Sequence, residues 1–162
     1  MSIVWALFHY RSTSALSPTV AHFFVTPLDT GLATLKSDKY LQMAESAQFD
    51  YVIKTALIHP MLAKGYSFVN ASQMIKFVKP VRLFQRVRVE SRVMYADDKN
   101  AWFCHTFTVE NIKHAEVLVK MKFKHGGITV PPEKLLGVFK GAKPAGIQAW
   151  DEALAAASPA FQ

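Results

Sequence analysis

The sequence of 162 residues contains a single cysteine, Cys104, which excludes a disulfide within the chain. Its stability must therefore come from a hydrophobic core, and Cys104, within an alternating apolar run, is predicted to be a strand or core residue of a reduced compartment. A phosphate-binding glycine loop, a nucleophile elbow and a Ser-His-Asp arrangement are also missing. The six histidines show no metal-ligand spacing. We therefore predict no metal site and no resident cofactor.

The apolar opening of the chain, residues 1–10, is far shorter than the roughly 20 residues that span a bilayer. It also lacks the basic start of a secretory signal. We therefore predict a cytoplasmic protein without an integral membrane span. Residues 1–10 are interpreted as a terminal helix or strand docked on the domain, with an interfacial anchor as the alternative.

The composition indicates one compact domain, because 51% of the residues are hydrophobic. The net charge of +7 favours anionic partners, among them nucleic acid, acidic membrane and phosphorylated cofactors. The charge by itself does not choose among them.

The first half of the chain predicts a strand, a turn and a long helix. Residues 19–26 have strand-like composition and stop at Pro27, and residues 37–58 follow a helical period with Ser37 or Asp38 as the N-cap. At 100° per residue, the helix has a broad apolar arc that also contains Glu45 and Gln48. A carboxylate on a buried helix face is costly unless it is paired or functional, so Glu45 is a candidate site residue.

After residue 60 the pattern changes to period 2 and predicts four antiparallel strands at residues 65–78, 84–96, 101–110 and 114–125. One helical turn at 133–136 and a helix around 147–157 follow. The order predicts an α+β hotdog fold, a curved antiparallel sheet wrapped around a long central helix. We predict a single domain over residues 1–162, with a core at about 19–137, an N-terminal extension at 1–18 and a C-terminal helical tail at 138–162.

Specific segments resemble the 4-hydroxybenzoyl-CoA thioesterase-like branch of the hotdog superfamily. They are Pro27-Leu28-Asp29-Thr30-Gly31, Tyr40-Leu41, Met43-Ala44-Glu45-Ser46-Ala47, the segment at residues 77–89, and residues 130–136. The resemblance spans about residues 20–137. The sequence departs from the family pattern where Thr34 takes the place of a His, Lys36 and Ser37 those of two Asn, and Gly31 that of a second acid.

This resemblance implies that Asp29 attacks a thioester carbonyl or activates a water, with Glu45 as the reserve acid. Backbone N–H groups of Thr34, Leu35, Lys36 and Ser37 would then hold the oxyanion. The substrate-binding candidates are Tyr40 and the cations Lys76, Lys79 and Arg82, which could hold the phosphates of coenzyme A. The alternatives are that Asp29 only caps its turn and that Glu45 is a buried acid at a subunit interface.

The predicted function is hydrolysis of an acyl or aroyl thioester of coenzyme A by a homodimer or a dimer of dimers, as the resemblance implies. A catalytically inactive hotdog protein that binds acyl-CoA or lipid is the first alternative. Nucleic-acid binding through a basic sheet face is a weaker alternative, because no recognised module or basic-aromatic motif accompanies the charge.

Overall fold

The computed structural model describes residues 14–157, so the element predicted at residues 1–10 lies outside the described part. The elements, in chain order, are β1 (Thr19–Phe24), α1 (Ser37–Lys54), α2 (Ile58–Lys64), β2 (Tyr66–Phe77), β3 (Arg86–Ala96), β4 (Ala101–Val109), β5 (Ile112–His125), β6 (Ile128–Val130), α3 (Glu133–Leu136) and α4 (Ala145–Ala157). The predicted α+β architecture is confirmed. Within the described residues, no helix is both long and apolar enough to cross a bilayer.

The long helix is shorter than predicted and is followed by a second helix. The chain leaves α1 at Thr55, and Ala56 adopts a left-handed φ of 58°, which no α-helix continues through. The short helix α2 was not predicted, because the pattern was read as strand-like directly after residue 60. Pro60 lies in the first turn of α2, where its missing N–H removes no helical hydrogen bond.

The strands form one antiparallel sheet in the order β1-β3-β4-β5-β2, with β6 beside β5. The meander of β3, β4 and β5 agrees with the prediction, whereas β2 pairs with β5 and not with β3. Residues 78–85 therefore cross one end of the sheet, from the end of β2 to the start of β3. We call this end, where β1 and β2 finish and β3 begins, the lower end.

Helix α1 begins at the lower end and packs along the inner face of the sheet. Its buried residues are Tyr40, Met43, Ala44, Ala47, Gln48, Tyr51 and Val52. Gln48 is buried as predicted and exchanges hydrogen bonds of 3.2 and 3.3 Å with the Asn70 amide of β2. The predicted burial of Glu45 is wrong, because Glu45 is exposed. Glu45 stands at the border of the apolar arc, beyond the width that the sheet covers.

Two β-bulges interrupt the alternation of faces along the strands. In β2, the register shifts between Asn70 and Ser72, so Val69 is exposed while Ile75, which strict alternation places on the same face, packs against the core. In β3, the register shifts between Val93 and Tyr95, and Tyr95 packs on the outer face. Period-2 counting fails at both sites because each bulge inserts one residue into the alternation.

Helix α4 covers part of the outer face of the sheet. Its Ile147 and Trp150 pack with the fully buried Trp102 of β4. Asp151 of the same helix accepts a hydrogen bond of 2.7 Å from Lys120 Nζ and another from Lys143. Cys104 is buried in β4, as predicted.

Candidate active site

A cavity of about 300 Å³ lies at the lower end of the sheet, where α1 begins. It combines the loop before α1 with the end of β2 and the start of the crossing segment. Its lining residues are Thr34, Leu35, Ser37, Tyr40, Phe77, Val78, Lys79 and Pro80. The structure therefore brings together five of the predicted site residues. The wall formed by Phe77, Val78 and Pro80 was not predicted, and an apolar strand end followed by Lys-Pro is the signal that could have indicated it.

The start of α1 faces this cavity without a capping side chain. The residue before the helix is Lys36, with extended backbone (φ −70°, ψ 149°), and within residues 14–157 this end of the helix has no side-chain capping hydrogen bond. The predicted N-cap by Ser37 or Asp38 is thus wrong. An uncapped first turn leaves N–H groups without intrahelical partners at the positive end of the helix dipole, an arrangement that suits a negative charge.

Only two of the four predicted oxyanion donors remain available. The Leu35 N–H donates to the Val81 carbonyl at 2.8 Å, and the Lys36 N–H donates to the Asp29 carbonyl at 3.0 Å. The prediction that Leu35 and Lys36 supply oxyanion donors is therefore wrong for this arrangement of the chain, because the loop uses these groups to form its own short β-bridges. Within the described residues, the N–H groups of Thr34 and Ser37 donate to no backbone acceptor.

Tyr40 forms the inner wall of the cavity. Its hydroxyl accepts a hydrogen bond of 3.3 Å from the Val81 N–H, and its ring lies 5.3 Å from the rings of Phe77 and Phe107. Burial raises the pKa of Tyr40 above the ordinary value for a phenol. Tyr40 therefore presents a neutral aromatic surface to whatever occupies the cavity.

A second cleft of about 300 Å³ adjoins the cavity and shares Lys79 and Pro80 with it. Arg82 lines this second cleft and forms a β-bridge with Thr34 of the first. The two cavities thus make a continuous surface, apolar at Tyr40 and cationic at Arg82. Lys76 does not line either cavity and pairs in register with Glu116 of β5.

The Asp29 carboxylate is engaged by its own turn. Its Oδ2 accepts hydrogen bonds from the Thr26 N–H at 2.9 Å and the Thr26 hydroxyl at 2.6 Å, and its Oδ1 lies 3.7 Å from Lys39 Nζ. The bonds from Thr26 lower the pKa of Asp29, and Lys39 adds to this effect. Asp29 lines a separate depression of about 200 Å³ beside β1, with Phe24 among its neighbours.

Glu45 lies on the opposite flank of α1 from this depression. Ser37, Leu41 and Glu45 are spaced four residues apart, so their side chains form one row along the helix. The row starts at the cavity and follows the flank on which Gln48 bonds to Asn70 of β2. The two predicted acids are therefore not brought together, and only Glu45 stands in a row with a cavity residue.

Comparison with known proteins identifies the family. The sequence pattern of the thioesterase-like superfamily matches residues 27–137. The chain belongs to this superfamily. No curated protein matches the sequence. The loop, α1 and the crossing segment that form the cavity all lie within the matched residues.

Solved structures of thioesterases share the hotdog fold with this chain. A probable thioesterase from Bartonella henselae is similar at 15% identity and a TM-score of 0.65, covering 71% of this chain and 98% of its own. The probable thioesterase YbaW from Escherichia coli has 17% identity and a TM-score of 0.67, covering 72% and 92%. A 1,4-dihydroxy-2-naphthoyl-CoA thioesterase from Synechocystis, Slr0204, has 12% identity and a TM-score of 0.63, covering 78% and 100%.

Proposed function

We propose that this member of the thioesterase-like superfamily hydrolyses an acyl or aroyl thioester of coenzyme A to the free acid and the thiol. The observation that carries the proposal is the cavity at the uncapped start of α1, which joins two free N–H groups, an aromatic wall and a cationic cleft. Relatives in the fold are named as thioesterases of aromatic acyl-CoA substrates, which supports the same substrate class.

Each part of the cavity matches one part of such a substrate. Lys79 and Arg82 suit the phosphates of coenzyme A, because both side chains are exposed cations. The acyl or aroyl group would lie against the rings of Tyr40 and Phe77. The carbonyl oxygen would then point at the N–H groups of Thr34 and Ser37, which stabilise the oxyanion that forms during attack.

We propose Glu45 as the general base and Asp29 as a turn-stabilising residue. Glu45 lies about 12 Å along α1 from Ser37 and its side chain leans back toward the helix N-terminus, so ordered water between them would join the carboxylate to the attacking water. Glu45 would take a proton from water as the water oxygen attacks the carbonyl carbon. The tetrahedral intermediate then collapses, the C–S bond breaks, and the thiolate leaves and is protonated.

A homodimer would complete the site. Among the described residues β2 has β5 as its only strand neighbour, and Val69, Met74 and Phe77 are exposed along it. A long edge strand with exposed apolar residues is a template for pairing with a second copy. Antiparallel pairing about the middle of β2 would bring Phe77 of one copy near the partner's apolar cavity between α1, α2 and the start of β2, a volume of about 260 Å³.

A second candidate function is binding of acyl-CoA without hydrolysis. It is favoured by the engagement of Asp29 with Thr26 and by Thr34 in the place of the family histidine. Both candidates use the same cavity, and they differ in whether the C–S bond of the thioester is broken.

The experiment is a thiol-release assay over aliphatic and aromatic acyl-CoAs, run beside a binding measurement on the same compounds. Glu45→Gln is expected to lower kcat by at least about a hundredfold while substrate binding is retained. Asp29→Asn is expected to keep kcat within a few-fold of the parent. Binding without thiol release on every compound would establish the second candidate in place of hydrolysis.

A further inference from the structure

Four large hydrophobic side chains project into solvent at the lower end of the sheet. Leu28 is 84% exposed, Leu32 is fully exposed, and Phe84 and Phe24 are 63% and 58% exposed. The segments that carry them are in direct contact: the rings of Phe24 and Phe84 stack at 6.3 Å, and the Leu83 N–H donates to the Ala33 carbonyl at 3.2 Å. Together these residues form one surface, which we call the lower apolar patch. Exposed apolar clusters of this kind mark interaction sites.

The backbone holds the patch in a fixed shape. A hydrogen bond of 3.0 Å from the Asp29 N–H to the Thr26 carbonyl closes the turn that carries Leu28, and another of 3.0 Å from the Gly31 N–H to the Thr34 carbonyl closes the turn that carries Leu32. Phe84 has a φ of 65°, a left-handed conformation that is unfavourable for a bulky residue. The backbone keeps this strain at a residue whose aromatic ring is exposed to water. Backbone strain of this kind is typical of functional sites.

The segments that carry the patch hold an excess of positive charge, with Glu110 lining the same clefts as Arg82 and Arg86. Segments 24–36 and 78–86 carry the exposed cations Lys36, Lys79, Arg82 and Arg86 and one carboxylate, Asp29, which is bonded to Thr26. This charge argues against a second copy as the occupant, because two such patches would face each other with like charges. It complements an anionic surface.

We infer that the lower apolar patch docks the protein on an anionic lipid surface. Protruding aliphatic side chains on tight turns can enter the boundary between headgroups and acyl chains. The surrounding cations then meet the lipid phosphates and carboxylates. Phe24 belongs to β1, at the opposite edge of the sheet from β2, so pairing of β2 between two copies does not cover this part of the patch.

Docking in this way places the lipid surface beside the cavity, because Thr34 and Lys79 belong both to the cavity and to the segments of the patch. The inference itself concerns binding and holds whether or not the cavity hydrolyses thioesters.

Vesicle flotation tests the inference without any activity measurement. Full-length protein is mixed with phosphatidylcholine vesicles, with or without phosphatidylserine, and compared with the double variant Leu28→Ser, Leu32→Ser. The control is Leu62→Ser with Ile128→Ser, which removes two similarly exposed side chains, 73% and 74%, from α2 and β6 at the other end of the sheet. The melting temperature of each protein is measured first, and only variants that melt at the temperature of the parent are compared.

The parent and the control are expected to float with the phosphatidylserine vesicles, and less so at high salt. The Leu28, Leu32 variant is expected to lose at least about tenfold in partitioning. The inference is overturned if the parent does not float, if it floats equally with pure phosphatidylcholine, or if the two double variants partition alike. Capture by an acidic acyl carrier protein without vesicle binding would replace lipid by a protein partner.

Discussion

His105, a buried side chain of β4, makes the stability of the fold depend on pH. Its ring is fully buried, and Nδ1 lies 2.8 Å from the Ser91 hydroxyl. Burial lowers the pKa of His105 to about 4, so the folded protein keeps it neutral. His105 alternates with Phe103 and Phe107 along β4, and all three side chains are buried.

We expect His105 to destabilise the fold in acid. His105 binds a proton at about pH 6.5 in the unfolded chain and only near pH 4 in the folded chain. The free energy of unfolding is therefore unaffected by His105 above pH 6.5 and decreases by about 3 kcal/mol as the pH falls to 4. Denaturant unfolding from pH 7 to pH 4 measures this loss. The variant His105→Gln keeps a hydrogen-bonding group near Ser91 and should show a shallower decline. Equal declines in the two proteins would contradict the assignment.

Asp29 is expected to act on stability more than on catalysis. Its carboxylate receives two hydrogen bonds from Thr26, and Asp29→Ala removes both, which should lower the free energy of unfolding by about 1–2 kcal/mol. Because these bonds lower its pKa, its ionic contribution is present above about pH 4 and is lost as the pH falls through the folded value. Asp29→Asn, which keeps an acceptor, serves as the control. A fully stable Asp29→Ala protein would show that the turn does not need the carboxylate.

At the scale of elements, the sequence predicted what depends on local pattern and missed what depends on neighbours. The period of 3.6 located α1. The helical wheel placed Glu45 on the buried side, because a wheel does not show how much of the helix circumference the sheet covers. Counting by two located the strands but put Val69 and Ile75 on one face across the bulge near Ala71, because nothing local marks the bulge. The open donors at Thr34 and Ser37 likewise depend on the bridge to residues 81–83, which is a long-range contact.

Trp150 is one of the main contacts between helix α4 and the sheet. Trp150 packs on Trp102, whose ring also lies under Lys143 at 4.7 Å and Lys120 at 5.3 Å. Trp150→Ala should release α4, raise hydrogen exchange throughout residues 145–157 and make Trp102 accessible to acrylamide. The exposed residue Glu152, changed to Ala, is the matched control in the same helix. Unchanged protection of α4 in Trp150→Ala would show that the ion pairs of Asp151 suffice.

At the scale of the whole molecule, the edge of β2 that has no strand neighbour among residues 14–157 leads us to expect a dimer. Light scattering should give twice the mass of the chain, and the amides of β2 that face the free edge should gain hydrogen-exchange protection as the concentration rises. The amides of β4, which has a strand on each side, serve as the internal control because their partners lie within the chain. A monomer at all concentrations, with a freely exchanging β2 edge, would contradict this expectation.

The start of α1 as the oxyanion site is tested most directly by Ser37→Pro, with Ser37→Ala as its control. Proline is tolerated at the first position of a helix, and Lys36 already has the extended backbone that a following proline requires, so Ser37→Pro deletes one N–H with little structural change. The measurement is kcat for thiol release from the best acyl-CoA substrate. The account predicts a decrease of about 10²–10³ for Ser37→Pro and near-parental activity for Ser37→Ala. Equal activity of the two folded variants would contradict it.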